Sequence, residues 1–176
     1  MDQLLVILDL DETLVHSPDS PLLRSPDFIA GPHPVYERPG LRPFLYALLS
    51  RYVVGVWTAA GRDYASAVLD HIAPPDRPLA FFWSSERCTR RFDHETRQHF
   101  TVKPLRKVAK LGFNLDRVVV VDDSPEKHVL NYGNLVRIAP FLGDTDDRHL
   151  GALLPYLDQL ALAPNVRVIE KRHWSR

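Results

Sequence analysis

Short continuous apolar runs alternate along this chain with stretches of helical spacing. Leu4-Leu5-Val6-Ile7-Leu8 is unbroken and ends at Asp9, which predicts a strand buried on both faces, as in parallel sheets. Residues 17–34 carry Pro18, Pro21, Pro26, Pro32 and Pro34 and predict a loop with one short strand near Phe28-Ile29. Leu41, Phe44, Leu45, Leu48 and Leu49 follow Pro39-Gly40 at helical spacing. Tyr52 to Trp57 predicts a second strand ending at Thr58, and Asp63 to Ile72 a second helix stopped by Pro74-Pro75. Leu79 to Trp83 predicts a third strand.

Residues 84–102 interrupt this rhythm. They hold Glu86, Arg87, Arg90, Arg91, Asp93, His94, Glu95, Arg97 and His99 and few core residues, and predict an exposed hairpin insertion. Pro104 to Leu111 reads as a third helix, with proline near its start, where it is tolerated. Val118 to Val121 is a β-branched strand ending at Asp122-Asp123; a helix and a fifth strand, Asn134 to Ala139, follow. The last element is an amphipathic helix from Asp147 to Leu162, with a kink or break expected at Pro155. The alternation predicts an α/β fold: a Rossmann-like, doubly wound parallel sheet with helices on both faces. It forms one domain over residues 1–176, with a small β insertion at about 84–102.

Composition agrees and narrows the class. At 176 residues, 45% hydrophobic and 25% charged, the chain is globular, which excludes disordered, collagen-like and coiled-coil readings. Lys+Arg and Asp+Glu are both 22, and this balance argues against a general nucleic-acid or anionic-membrane binder. Cys88 is the single cysteine, so no intrachain disulfide can form. The apolar runs are too short to span a bilayer and the chain opens without a basic leader. A soluble, cytoplasmic protein is expected; the oligomeric state leaves no mark.

Open parallel sheets bind ligands beyond the carboxyl ends of their strands. There the sequence delivers Asp9-Leu10-Asp11-Glu12-Thr13, then Thr58-Ala59-Ala60-Gly61, then Asp122-Asp123-Ser124-Pro125, with Lys103 just before the third helix. So many carboxylates on one rim are costly unless a cation sits among them. Oxygen ligands beside a phosphate point to Mg²⁺. Asp9 is then a carboxylate nucleophile, with Mg²⁺ and Lys103 screening its charge from an incoming phosphate. Thr58 and the N–H groups of its loop hold phosphate oxygens. Asp11 protonates the leaving oxygen and then activates water. Taken singly, each residue has an ordinary reading as a cap, a turn or a solvated lysine. Their joint placement, in this order, carries the case.

Other groups weigh less. Cys88, His94 and His99, with Asp93 or Glu95, make a weak zinc pattern, because structural sites favour paired cysteines. Arg87, Arg90, Arg91 and Arg97 are either a solvated face or a grip on an anionic substrate. The tail from Arg167 to Arg176, with Lys171, Arg172 and Trp174, reads as a short edge strand with a basic end, or as disorder.

Leu8-Asp9-Leu10-Asp11-Glu12-Thr13-Leu14-Val15-His16-Ser17 resembles, almost letter for letter, the first motif of a known family. That family is the haloacid dehalogenase superfamily, specifically the small C-terminal-domain phosphatase type (NLI-interacting-factor-like). Glu37-Arg38-Pro39-Gly40-Leu41, Val56-Trp57-Thr58-Ala59-Ala60 with Tyr64-Ala65, Thr101-Val102-Lys103 and Val120-Val121-Asp122-Asp123-Ser124-Pro125 resemble its further motifs in order. Pro18-Asp19 stands where relatives carry an aromatic residue, and the Cys88–Lys103 segment is longer and more charged than in small relatives.

The resemblance implies the haloacid dehalogenase fold and a phosphomonoester hydrolase working through an aspartyl phosphate. It implies Asp9 as phosphoryl acceptor and Asp11 as acid/base. Mg²⁺ is held by the Asp9 side chain, the Asp11 main-chain oxygen and Asp123, with Asp122 assisting. Thr58, Ala59 and Lys103 bind phosphate. Arg87, Arg90, Arg91 and Tyr64 are candidates for substrate recognition. The substrate is a phosphoprotein, a nucleic-acid end or a small metabolite. The alternative is a non-catalytic phosphate-binding or protein-docking module on the same fold. A phosphoacceptor receiver domain has the wrong order, since here the Asp pair follows the lysine.

Overall fold

The computed structural model describes residues 3–175. In chain order the strands are β1 (Leu5–Leu8), β2 (Val15–His16), β3 (Phe28–Ala30), β4 (His33–Glu37), β5 (Val53–Trp57), β6 (Phe81–Trp83), β7 (Thr89–Asp93), β8 (Gln98–Val102), β9 (Val118–Asp122) and β10 (Leu135–Arg137). The helices are α1 (Leu41–Arg51), α2 (Arg62–Ile72), α3 (Arg106–Ala109) and α4 (His149–Ala161).

A five-stranded parallel sheet in the order β10-β9-β1-β5-β6 forms the centre. Side chains alternate across a strand, and β1 divides accordingly. Leu4, Val6 and Leu8 join Val119, Val121, Val54, Val56 and the buried faces of α1, α2 and α4 in one core. Leu5 and Ile7 join Val118, Val120, Trp57, Trp83 and the short α3 in another. Both faces are covered, so β1 reads as an unbroken apolar run. Gly55 in β5 lets the sheet close against β6: a Cβ there would sit 2.5 Å from the Phe81 ring.

Several elements depart from the sequence reading. The proline-rich stretch holds the expected strand near Phe28, but also β4, which pairs with β3 and with β2 in a small antiparallel sheet. Pro34 is tolerated because β2 reaches only Tyr36 and Glu37, so β4 has a neighbour on one side at Pro34. The helix expected between β9 and β10 is absent; 3₁₀ turns at Pro125–His128 and Tyr132–Asn134 take its place. Asparagine side chains there bind backbone elsewhere instead of leaving the segment to coil. Asn131 accepts from Leu105 N–H and donates to Lys103 O, and Asn134 donates to Leu115 O and Val118 O.

The third helix, α3, is one turn, and the strand expected from Asn134 to Ala139 is the three-residue β10. The last helix runs unbroken through Pro155, which lies on its exposed face together with Gly151, whose carbonyl can turn to water. The tail is neither a strand nor loose up to Ser175. It makes a 3₁₀ turn at Val166–Val168, buries Lys171 against Gly133 O and Ile169 O, and stacks Trp174 on Tyr156. Arg176 lies outside the described residues. The insertion is the expected hairpin, β7 against β8.

Candidate active site

Register alone assembles the acidic rim. Leu8 lies level with Val121 on one side and Val56 on the other. The next residue on each strand is therefore Asp9, Asp122 and Trp57, with Thr58 one step further. Asp9 donates its N–H to Val121 O at 3.0 Å, and its Oδ1 accepts from Leu10 N–H at 2.9 Å. Glu12, in the left-handed region at φ 54°, turns the chain directly after Asp11.

Two ammonium groups converge on Asp9. Lys103 Nζ, fully buried, lies 2.6 Å from Asp122 Oδ2 and 3.1 Å from Asp9 Oδ2. Lys127 Nζ lies 3.4 Å from the same Asp9 oxygen. Asp122 also accepts at Oδ1 from Ser124 N–H and faces buried His128 Nε2 at 2.9 Å. Burial pushes the Asp9 carboxyl up, the Asp122 charge adds to this, and the lysines and the Leu10 N–H pull back, leaving it raised to about 7. Burial acts on Asp122 too, but Lys103 and His128 outweigh it and hold that carboxyl well below the usual range.

Asp11 has a partner of its own, its Oδ1 accepting from the Tyr64 hydroxyl at 2.7 Å. Burial raises its pKa against the opposing pull of Tyr64, Lys127 and Lys103, the direction that suits a general acid near neutrality. Tyr64 is packed edge-on to His33. Thr58 Oγ1, fully buried, accepts from Ala60 N–H at 3.0 Å, which leaves its hydroxyl proton to donate. Ala59 lies between them in the same loop.

Asp9, Asp122 and Asp123 offer carboxylate oxygens within 4.8 Å of one another. Asp123 is anchored by Thr13 Oγ1 at 3.4 Å and Ser124 Oγ at 3.1 Å. Hard oxygen donors, with two of the three side chains buried, fit Mg²⁺. Asp11 contributes no side-chain oxygen to this cluster. The zinc pattern does not assemble: among the described residues Cys88, His94 and His99 form no ligand cluster. The Cys88 thiol points to Thr58 O, and both histidines pack on Phe92.

Arg87 lies over the Trp83 ring, and Arg90 and Arg91 project from β7 into solvent. Among the described residues none of the three makes an ion pair with the acidic cluster. Sequence reasoning missed Lys127 and His128, because a helix was expected to carry them past the rim. It also left Arg38 as a motif letter. The fully buried Arg38 guanidinium grips both Asp147 oxygens at 2.9 and 2.8 Å, and donates to Thr13 O and Ala139 O. It thus ties the loop after β1 to the loop after β10 and the start of α4.

Among the described residues no helix is long and apolar enough to cross a membrane. The NLI interacting factor-like phosphatase family matches residues 4–167. The chain is 31% identical over 173 residues to the human carboxy-terminal domain RNA polymerase II polypeptide A small phosphatase 1, covering 94% of this chain and 62% of that protein. It is 32% identical over 186 residues to CTD nuclear envelope phosphatase 1 of Xenopus laevis, covering 96% and 71%. The solved structure of Fcp1, an essential RNA polymerase II CTD phosphatase, superposes with a TM-score of 0.58 at 20% identity, over 93% of this chain and 51% of that one. The fold is thus of the haloacid dehalogenase type. The chain spans about half the length of the first curated relatives it matches.

Proposed function

The chain belongs to the NLI interacting factor-like phosphatase family, and from that premise we propose that it hydrolyses phosphomonoesters through an aspartyl phosphate on Asp9. The observation that carries this reading is the pairing of a buried carboxylate under two ammonium groups with a second carboxyl, Asp11, held separately by Tyr64. A charge-capped carboxylate can meet a phosphate dianion, and an uncapped one repels it.

In the forward step an Asp9 carboxylate oxygen forms a bond to phosphorus while the bond to the substrate oxygen breaks. Protonated Asp11 gives its proton to that leaving oxygen, releasing an alcohol. Asp11, now a carboxylate, takes a proton from water as the water oxygen attacks phosphorus. The Asp9–phosphorus bond breaks, and free phosphate and the original carboxylate remain. Lys103 holds Asp9 and Asp122 in place, while Thr58 and the N–H of Ala59 steady phosphoryl oxygens. Asp9 and Asp123, with Asp122 and the Asp11 main-chain oxygen, would hold Mg²⁺, which would supply Lewis-acid charge at the phosphoryl group.

For substrate we favour a phosphorylated protein segment. The names of the relatives support this, and the arginine-bearing hairpin offers charge for such a segment. The cytoplasm is the compartment that a single unpaired cysteine suits. The test is turnover of p-nitrophenyl phosphate with and without Mg²⁺, followed by a screen of phosphopeptides, 5′- and 3′-phosphorylated oligonucleotides and phosphorylated metabolites. Turnover that survives excess chelator would remove the metal. Phosphate binding without turnover would favour a docking module. A preference for oligonucleotides or metabolites would replace the protein substrate.

A further inference from the structure

Lys103 and Lys127 meet the same oxygen of Asp9 but are not equivalent. An ammonium has three hydrogens to donate. Lys103 directs two of them at Asp122 and Asp9 and is fully buried. Lys127 has, among the described residues, the single partner Asp9 Oδ2, and its side chain keeps 22% exposure. Charge-assisted contacts of this kind usually close to about 2.7–2.9 Å. At 3.4 Å the Lys127 contact is loose, whereas Lys103 to Asp122 at 2.6 Å is tight. The two lysines are mounted together, because Lys103 N–H donates to Lys127 O at 2.8 Å. The 3₁₀ turn at Pro125–His128 sets Lys127 toward Asp9 and His128 toward Asp122.

We propose that Lys127 is a second phosphate-binding residue. In the free protein it caps Asp9, and on arrival of a phosphomonoester its ammonium shifts to a phosphoryl oxygen, uncovering the carboxylate for attack. This rests on the phosphatase reading above. Charge counting supports it. With Asp11 protonated, as the first step requires, Asp9, Asp122 and Asp123 carry three negative charges against two lysines, and one divalent cation would leave the set one positive. Without Lys127 that surplus is lost, and with it the potential that draws in a dianion. Lys103 can offer a phosphate only the one hydrogen not directed at the two buried carboxylates, so it does not replace the charge of Lys127.

The experiment compares wild type with Lys127→Met and Lys127→Arg, each checked for native circular dichroism. Two readouts are used in Mg²⁺ buffer: steady-state hydrolysis of p-nitrophenyl phosphate, and the shift in melting temperature produced by inorganic phosphate. Lys127→Met is expected to raise KM, and the phosphate concentration needed for stabilisation, by about tenfold or more, the loss of one charge-assisted contact. The fall in kcat should be smaller, and Lys127→Arg should restore most of the phosphate affinity. If KM and the phosphate response stay within twofold while kcat alone falls, Lys127 merely balances the charge of Asp9 and the proposal is overturned. If Lys127→Met misfolds, Lys127→Gln decides by the same criteria: a rise of about tenfold in KM and in the phosphate concentration needed for stabilisation supports the proposal, and values within about twofold overturn it. Wild-type protein that neither turns over the ester nor responds to phosphate would instead sink the phosphatase reading, and this inference with it.

Discussion

The Tyr64 hydroxyl donates a 2.7 Å hydrogen bond to Asp11 Oδ1, from a residue 53 positions away at the start of α2. The bond favours the ionised form of Asp11, while burial favours the neutral one, and burial prevails. Tyr64 therefore both orients the acid and limits how far its pKa rises.

Tyr64→Phe removes that limit. The Asp11 pKa should rise further, so the alkaline limb of the kcat/KM profile, where the general acid loses its proton, should move to higher pH. A profile that keeps its shape while KM alone changes would show that Tyr64 touches substrate and does not tune Asp11.

Arg38→Met should destabilise the fold by about 3–5 kcal/mol, since it removes the buried guanidinium's hydrogen bonds and leaves the shielded Asp147 carboxylate with His149 alone. The partner gives a pH signature. Burial would raise the Asp147 pKa, but Arg38 and the His149 contacts lower it to about 2. A depressed folded-state pKa contributes stability above the ordinary value near 4, and this is lost as pH falls from there toward 2. Denaturation midpoints of wild type should drop over that window, and the drop should shrink in Arg38→Met. Equal slopes in the two proteins would detach Asp147 from acid stability.

Asp123→Ala should raise the Mg²⁺ concentration needed for half-maximal turnover by about tenfold or more with the fold intact. The residue is partly exposed and, among the described residues, is anchored by two hydroxyls, so folding depends on it little. An unchanged Mg²⁺ titration would place the metal elsewhere.

Replacing residues 91–99 by a short Gly-Ser link keeps the Arg90–Thr101 pair that closes the hairpin. Hydrolysis of a small aryl phosphate should survive, and hydrolysis of a phosphopeptide should weaken. Equal loss of kcat/KM on both would make the hairpin a lid over the chemistry.

The central sheet and its rim were legible because strands buried on both faces leave no alternative to a continuous apolar run. The residue ending each run is then exposed to the ligand edge by register alone. Asp9, Thr58 and Asp122 follow from that. Lys127 and His128 were not legible, since a 3₁₀ turn and a helix put the same letters in different directions. Asn131 and Asn134 decide between the two through contacts distant in sequence. β4 was hidden because Pro34 counts against a strand unless one knows that its neighbour stops short. The clamp of Arg38 needed Asp147, 109 residues away, to be seen as more than a motif letter.

The most direct test of the account is acid quenching of Asp11→Asn protein mixed with p-nitrophenyl phosphate and Mg²⁺, followed by mass analysis of the peptide that carries Asp9. With the acid/base weakened, hydrolysis of the intermediate should slow. A phosphoryl group should then be found on Asp9 and be absent when Asp9 is also replaced by Asn. A phosphoryl group on another residue, or undiminished turnover in folded Asp9→Asn protein, would contradict it.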